Sequence, residues 1–370
     1  MDDELLLVPG PTPVPREVSL AGARPLVNHR GPAFRDLYRD VQEGLRHVFQ
    51  TESAVLTFPS AGTGMLEAAV VNMFSPGERV LVGVMGAFGE RFAEVAQAFG
   101  LEVDRVACQW GRALAPEALA RGLRADTRGV LLTFNETSTG VLLDLAAAAA
   151  AIRERSDALI VVDAVSGLGG ADLRTDAWGC DVVLAASQKA LAVPPGLGLC
   201  SVGPRAAAAS ERARLPRFYW DWRPYLRQAP HGETPYTPAV SLWYALEAAL
   251  RRIRDEGLPA GFARHRALAR LTRAGAAAVG LVPLAPDGEA SPTVTCCVGP
   301  QAQRLVAELQ ERHIAVGGGM GPFKGRALRV GHMGAVTEAD LLRLFGAVDE
   351  ILGTGGRAVA AALAARKGAA

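Results

Sequence analysis

Asp181-Val-Val-Leu-Ala-Ala-Ser-Gln-Lys-Ala-Leu-Ala-Val-Pro-Pro-Gly196 is the stretch on which the reading of this chain turns. It opens as an apolar run of strand length, Asp181–Ala186, and closes on a turn signal, Pro194-Pro-Gly196. Between the two stands Lys189. Only three of the chain's 39 basic side chains are lysines, Lys189, Lys324 and Lys367, so arginine carries nearly all the positive charge. A lysine kept among apolar residues in such a chain points to a need for an amine. A desolvated ammonium can lose its proton and condense with an aldehyde, whereas a guanidinium stays charged. Lys189 is therefore a Schiff-base candidate; on local sequence the alternative is a structural lysine reaching the surface from a loop. Lys324 lies in a Gly-rich basic segment and Lys367 in the terminal tail.

Working outward from this stretch, apolar segments of strand length alternate with segments of helical spacing. Strands are expected at 54–58, 79–83, 102–106, 129–134, 158–163 and 181–186, with helices at 63–72, 88–99, 116–122 and 145–155 between them. Nearly uniform apolar strands separated by helices imply an α/β fold with a mainly parallel sheet buried on both faces. After Pro194-Pro-Gly196, residues 198–202 read as a returning antiparallel strand. Ahead of the sheet, Leu37, Val41, Leu45 and Val48 mark a helix of about four turns. Val8-Pro-Gly-Pro-Thr-Pro-Val-Pro15 is too proline-rich for helix or central strand and reads as an extended arm. Beyond the sheet, 241–256 and 261–279 read as helices, followed by strand 291–298, helix 306–311, strand 327–330 and helix 338–351. The expected division is an arm (1–16), a large domain (17–258), a smaller α+β domain (259–353) and an Ala-rich tail (354–370).

With 370 residues the chain is longer than one core usually organises. A net charge of +1 offers no electrostatic case for nucleic acid or an anionic membrane, which leaves a small molecule as the default ligand. The five cysteines are odd in number and scattered, with no metal-ligand spacing, so no metal is expected and a reducing cytoplasm suits them. The acidic start, Met1-Asp-Asp-Glu4, carries neither the basic flank nor the apolar run of a signal peptide or anchor.

In parallel sheets ligands gather at the carboxyl ends of the strands, and several polar residues fall there. Asp163 ends the apolar run Leu159-Ile-Val-Val-Asp163, where a carboxylate is costly unless it meets a partner such as a protonated pyridine nitrogen; a turn or helix cap is the alternative. Pro59-Ser-Ala-Gly-Thr-Gly-Met65 joins strand to helix through small residues, as a phosphate cradle or as an ordinary turn. It is neither a Walker loop nor a dinucleotide fingerprint. Phe88, between glycines ahead of a helix, either lies across a planar ring or packs in the core. Asn135-Glu-Thr-Ser-Thr-Gly140 is a second polar cluster after a strand.

Together, and in this order, these segments resemble the fold-type I pyridoxal phosphate enzymes, and within them the class V aminotransferases of the alanine–glyoxylate and serine–glyoxylate (serine–pyruvate) group. The likeness runs from Pro9-Gly-Pro-Thr12 to Gly331-His-Met-Gly334 and is most specific at 181–196, supported by 61–69, 136–140 and 163–170. It implies a seven-stranded-type sheet and pyridoxal 5'-phosphate as cofactor. By the same resemblance Lys189 carries the Schiff base and Asp163 pairs with the pyridine nitrogen. Ala61, Gly62 and Thr63 contact the phosphate with Gln188 beside them, Phe88 stacks on the ring, and Thr137 bonds near the ring hydroxyl. Thr237 reaches the phosphate of a neighbouring subunit, which implies a homodimer with shared sites; the second such contact falls to Thr234 or Tyr236. Arg329, in Gly325-Arg-Ala-Leu-Arg-Val-Gly331, matches the arginine that holds the substrate carboxylate, and a strand here sends Arg326 to the opposite face. His332 lines the pocket or packs, with packing preferred.

The expected reaction is transfer of an amino group from alanine or serine to glyoxylate or pyruvate, with aspartate the next donor and Arg30 a possible second carboxylate partner. A desulfurase needs a mobile cysteine, and Cys296 and Cys297 fall in a strand-like segment. A non-catalytic subunit would have no reason to keep Lys189, Asp163 and Arg329 together.

Overall fold

The computed structural model describes residues 4–366; Met1–Asp3 and, with Lys367, the last four residues lie outside them. In chain order the strands are β1 (Leu5–Leu7), β2 (Ala54–Ser60), β3 (Arg79–Val84), β4 (Glu102–Ala107), β5 (Thr127–Thr133), β6 (Asn135–Glu136), β7 (Val141–Leu142), β8 (Leu159–Asp163), β9 (Val182–Ala186), β10 (Gly196–Val202), β11 (Val282–Pro283), β12 (Val294–Val298), β13 (Ile314–Gly318) and β14 (Ala327–Gly331). Seven of them form one mixed sheet in the order β2-β10-β9-β8-β5-β3-β4, in which only β10 runs antiparallel to its neighbours.

The apolar runs are explained by burial on both faces. Successive side chains of a strand point to opposite sides, so Val130, Leu132, Ile160, Val162 and Val183 enter one core while Leu131, Val161, Val182 and Leu184 enter another. The first core is closed by the helices Pro32–Phe49, Leu145–Arg153 and Val240–Glu256, the second by Gly62–Met73 and Ala87–Ala98. Each helix presents its apolar stripe, as Phe34, Leu37, Val41, Leu45 and Val48 do on the first of them.

A five-stranded sheet, β1-β13-β14-β12-β11, forms the smaller domain with the helices Leu258–Ala278, Ala302–Glu311 and Glu338–Leu352. Four elements here carry no local signal: β1, β13, β11 and a helix over Arg357–Arg366. The last buries Ala358 and Ala362 in the small-domain core, so the Ala-rich end is docked structure over its described part. β1 precedes the proline-rich stretch read as an arm, and its three residues pair in parallel with Ile314–Val316. β12 starts only at Val294, because Ser291 and Thr293 spend their groups on loop contacts with Gly140 and Ser166. None of the described helices is long and apolar enough to cross a membrane.

Candidate active site

Because β2, β3, β5, β8 and β9 run the same way, their carboxyl ends share one edge of the sheet. That edge carries Ala61 after β2, Phe88 after β3, Glu136 and Thr137 after β5, Asp163 at the end of β8 and Lys189 after β9. The connection from β9 to β10 is short, as antiparallel neighbours permit, so Lys189 stays close to the strand end. Its loop is fixed from within: Ser187 Oγ donates to Pro194 O at 2.8 Å and accepts from Leu197 N at 3.2 Å.

The Val8–Pro15 arm lies directly over this loop. Lys189 Nζ donates to Pro9 O, Thr12 Oγ1 donates to Lys189 O at 2.9 Å, and Thr12 N donates to Gln188 O at 3.2 Å. Gly10, at φ 117°, has no room for a side chain: a Cβ there would sit 2.7 Å from Lys189 Cδ.

Burial pushes the Lys189 ammonium down to about 8; Asp163 opposes the shift, and the guanidinium groups of Arg329 and Arg91 add to it. Burial likewise raises Asp163 to about 6, with Glu136 adding to the rise while the Val165 amide, Lys189 and Arg91 oppose it. The Asp163 carboxylate accepts one hydrogen bond among the described residues, from Val165 N at 2.9 Å. It is therefore short of partners.

Ala61 is the residue before the helix Gly62–Met73, whose N-terminus has no side-chain cap. Its leading amides are left available to an anion. The Oε1 atom of Gln188 is buried without a partner among the described residues. Phe88 is half-buried at the start of Ala87–Ala98 and carries the Arg91 guanidinium 4.8 Å from its ring centre.

Behind Phe88 lies Glu136, whose sequence context marks it only as one member of a polar cluster after β5. Its fully buried carboxylate accepts from Phe88 N (3.1 Å), Gly89 N (3.1 Å), Ser138 N (3.0 Å) and Ser138 Oγ (2.6 Å). Burial raises its pKa against those hydrogen bonds. A negative group at the amino end of Ala87–Ala98 suits the helix dipole. Ser166 is a second residue not foreseen: it accepts from Thr137 Oγ1 at 2.7 Å and from Asn135 Nδ2 at 2.8 Å, and donates to Asn135 O at 2.9 Å. Both fall in polar segments after strands, but only their tertiary contacts show what they hold.

Arg329 arrives from the small domain on β14. Its Nε donates to Gly318 O at 2.8 Å and its Nη1 to Thr137 O at 3.3 Å, which bridges the two domains at this edge. Burial lowers its pKa. Arg326 is exposed and bonds Pro322 O at 2.6 Å, away from the site. His332 is fully buried, pairs with Thr295 Oγ1 at 2.8 Å and is pushed down to about 3 by burial, so it packs as a neutral ring.

The chain matches the family described as aminotransferase class-V over residues 16–322. The chain belongs to the class-V aminotransferases. Among its relatives is an L-aspartate–glyoxylate aminotransferase of Paracoccus denitrificans, 38% identical over 90% of this chain and 87% of that one. A protein of Anabaena cylindrica named as the 42 kDa subunit of a soluble hydrogenase is 41% identical over 95% of this chain and 94% of that one. Among solved structures, alanine–glyoxylate aminotransferase from Nostoc sp. superposes with a TM-score of 0.91 at 31% identity, covering 95% of this chain and 96% of that one. The protein is thus a pyridoxal phosphate-dependent aminotransferase.

The residues at the edge suit that cofactor. An uncapped helix end fits its phosphate, the under-bonded Asp163 its pyridine nitrogen, the orphaned Gln188 Oε1 a polar neighbour, and a lysine of lowered pKa its aldehyde. The aminotransferase handles the remaining expected residues unevenly. Thr237 is exposed, whereas Thr234 is buried and its hydroxyl donates to Tyr236 O at 2.7 Å. Tyr236 stacks on Tyr219 at 5.7 Å between ring centres. Arg30, held open for a second substrate carboxylate, is committed instead to Thr234 O (2.6 Å), Pro235 O (3.1 Å) and Glu233 (3.1 Å). A cleft of about 640 Å³ between Arg35, Arg39, Arg46 and His231 lies apart from this edge.

Proposed function

We propose that this aminotransferase transfers an amino group from alanine or serine to glyoxylate or pyruvate. The observation that carries the choice is how the guanidinium groups are held. Arg329 is held through Nε and Nη1 and leaves Nη2 without an acceptor among the described residues, Arg91 lies over the Phe88 ring beside Thr63, and Arg30, the alternative fork for a second carboxylate, spends both Nη atoms on the 233–235 loop. The relatives that act on glyoxylate support the acceptor. Aspartate is the second reading, favoured by the Paracoccus relative named for that donor.

Pyridoxal phosphate, when bound, supplies an aldehyde that condenses with amino groups and a ring that accepts an electron pair. Ala61, Gly62 and Thr63 would hold its phosphate at the helix end, with Gln188 and a neighbouring subunit's Thr237 as further contacts, and Phe88 would pack on the ring. Thr137, whose proton goes to Ser166, would have lone pairs left to accept from the ring hydroxyl. Asp163 would keep a proton on the ring nitrogen, because a carboxylate short of hydrogen bonds gains most from one more. Lys189 would hold the cofactor through its amine, and its freed amine would serve as the general base and acid that moves a proton at the substrate Cα. Its depressed pKa leaves part of it unprotonated near neutrality. Arg329 grips the substrate carboxylate through its fork.

The working unit in this reading is a homodimer in the cytoplasm. Exposed Thr237 and the exposed apolar side chains of Leu20, Leu26 and Phe218 suit a covered face, and five unpaired thiols suit a reducing compartment. A panel of alanine, serine and aspartate against glyoxylate, pyruvate and 2-oxoglutarate tests the assignment: a specificity constant for aspartate above those for alanine and serine would replace it with the second reading.

A further inference from the structure

The residues assigned to the phosphate above, Ala61, Gly62, Thr63, Gln188 and Thr237, include no positive charge, although a phosphate monoester carries nearly two negative charges near neutrality. A cation stands beside Thr63. Arg91, on the first turns of Ala87–Ala98, brings its Nη1 to 3.5 Å from Thr63 Oγ1 and lays its guanidinium 4.8 Å from the centre of the Phe88 ring. No carboxylate pairs with it among the described residues. On the same helix Glu90 is taken by Arg105, and Glu136 is spent on the amides of Phe88 and Gly89. Arg91 is also near enough to bias the ionisation of both Asp163 and Lys189. An arginine that packs on an aromatic face keeps its fork free to point at an anion.

We propose that Arg91 is the cofactor's charge partner, pairing with the phosphate over Thr63 and tying its grip to the position of Phe88. The inference rests on the assignment of that helix end to the phosphate. A substrate carboxylate is the other anion at hand, but Arg329 serves it from the small domain, whereas Thr63 lies at the amino end of Gly62–Met73. Arg91 acts on binding and takes no part in proton transfer.

The test is equilibrium titration of the cofactor-free protein with pyridoxal phosphate and with pyridoxal, which has the same ring and aldehyde and lacks the phosphate. Arg91→Gln should weaken pyridoxal phosphate by about tenfold to a hundredfold, as loss of charge-assisted hydrogen bonds does, and leave pyridoxal within about twofold. Arg91→Lys should fall between, and added salt should narrow the gap between wild type and Arg91→Gln. Equal losses for both ligands would mean that Arg91 acts only through the Phe88 ring, and overturn the proposal. So would unchanged affinity for both, or an effect confined to the KM for aspartate. Failure of the wild-type protein to bind pyridoxal phosphate would instead strike the underlying assignment.

Discussion

Lys189 and Arg329 illustrate how single residues divide the work. Lys189→Ala should abolish transamination while pyridoxal phosphate still binds through its phosphate, measured by turnover and by titration; retained activity would refute its role. The pH dependence follows from the burial that lowers Lys189 from 10.5 to about 8. The cofactor-free protein should capture pyridoxal phosphate faster as pH rises through about 8, where the free amine appears, and a rate flat from pH 7 to 9 would contradict this. The same shift carries a stability signature. Between pH 8 and 10.5 the unfolded chain holds a proton at Lys189 that the folded chain has released, so stability should rise with pH across that window. Lys189→Met should remove this slope in denaturant titrations. Arg329→Ala should lower kcat/KM by on the order of a hundredfold and leave cofactor affinity nearly intact, with Arg326→Ala as the exposed control. A larger loss in Arg326→Ala would reverse the assignment.

Among the elements, the helix Ala87–Ala98 depends on a distant group for its amino end. Its N-cap is Gly86, with no side-chain cap, and the carboxylate that answers its first amides comes from Glu136, across the sheet edge. Gly86 makes the approach possible, since a Cβ there would meet Glu136 Cδ at 2.7 Å. Glu136→Leu leaves those amides and Ser138 buried without an acceptor, at a cost of several kcal/mol, and Glu136→Gln restores part of it at about 1–3 kcal/mol. Urea midpoints of the three proteins should rank wild type, Gln, Leu; an unshifted midpoint in Glu136→Leu would show that the carboxylate does not support the helix. The Val8–Pro15 arm behaves in the same way. Proline content makes it extended, but its place over Lys189 comes from β1, which ties the chain to β13 just before the arm begins.

For the whole molecule, the small domain delivers Arg329 and, through β1 and the arm, Pro9 and Thr12 to an edge built by the large domain. Two domains thereby meet at one set of groups. If Thr237 serves a neighbouring site, the smallest active species is a dimer with an interface of the obligate kind. Sedimentation at assay concentration should give that dimer, and Thr237→Ala should weaken cofactor binding; a fully active monomer would exclude the shared site.

The sequence by itself determined the α/β class, the mixed sheet and the positions of Asp163 and Lys189 at strand ends, because apolar runs buried on both faces and the turns after them are local patterns. The sharp turn at Pro194-Pro-Gly196 likewise announced the antiparallel β10. What the tertiary structure alone decided are matters of pairing across the chain. β1 and β13 are too short or too Gly-rich to show a period, and they exist because each satisfies the other's backbone groups. The helix Arg357–Arg366 is alanine-rich and has little apolar contrast of its own; burial of Ala358 and Ala362 against the small domain orders it. Arg30 reads in sequence as an open functional group, and only the fold shows it bonded to Glu233, Thr234 and Pro235. Its availability depends on partners two hundred residues away, and no local pattern encodes that.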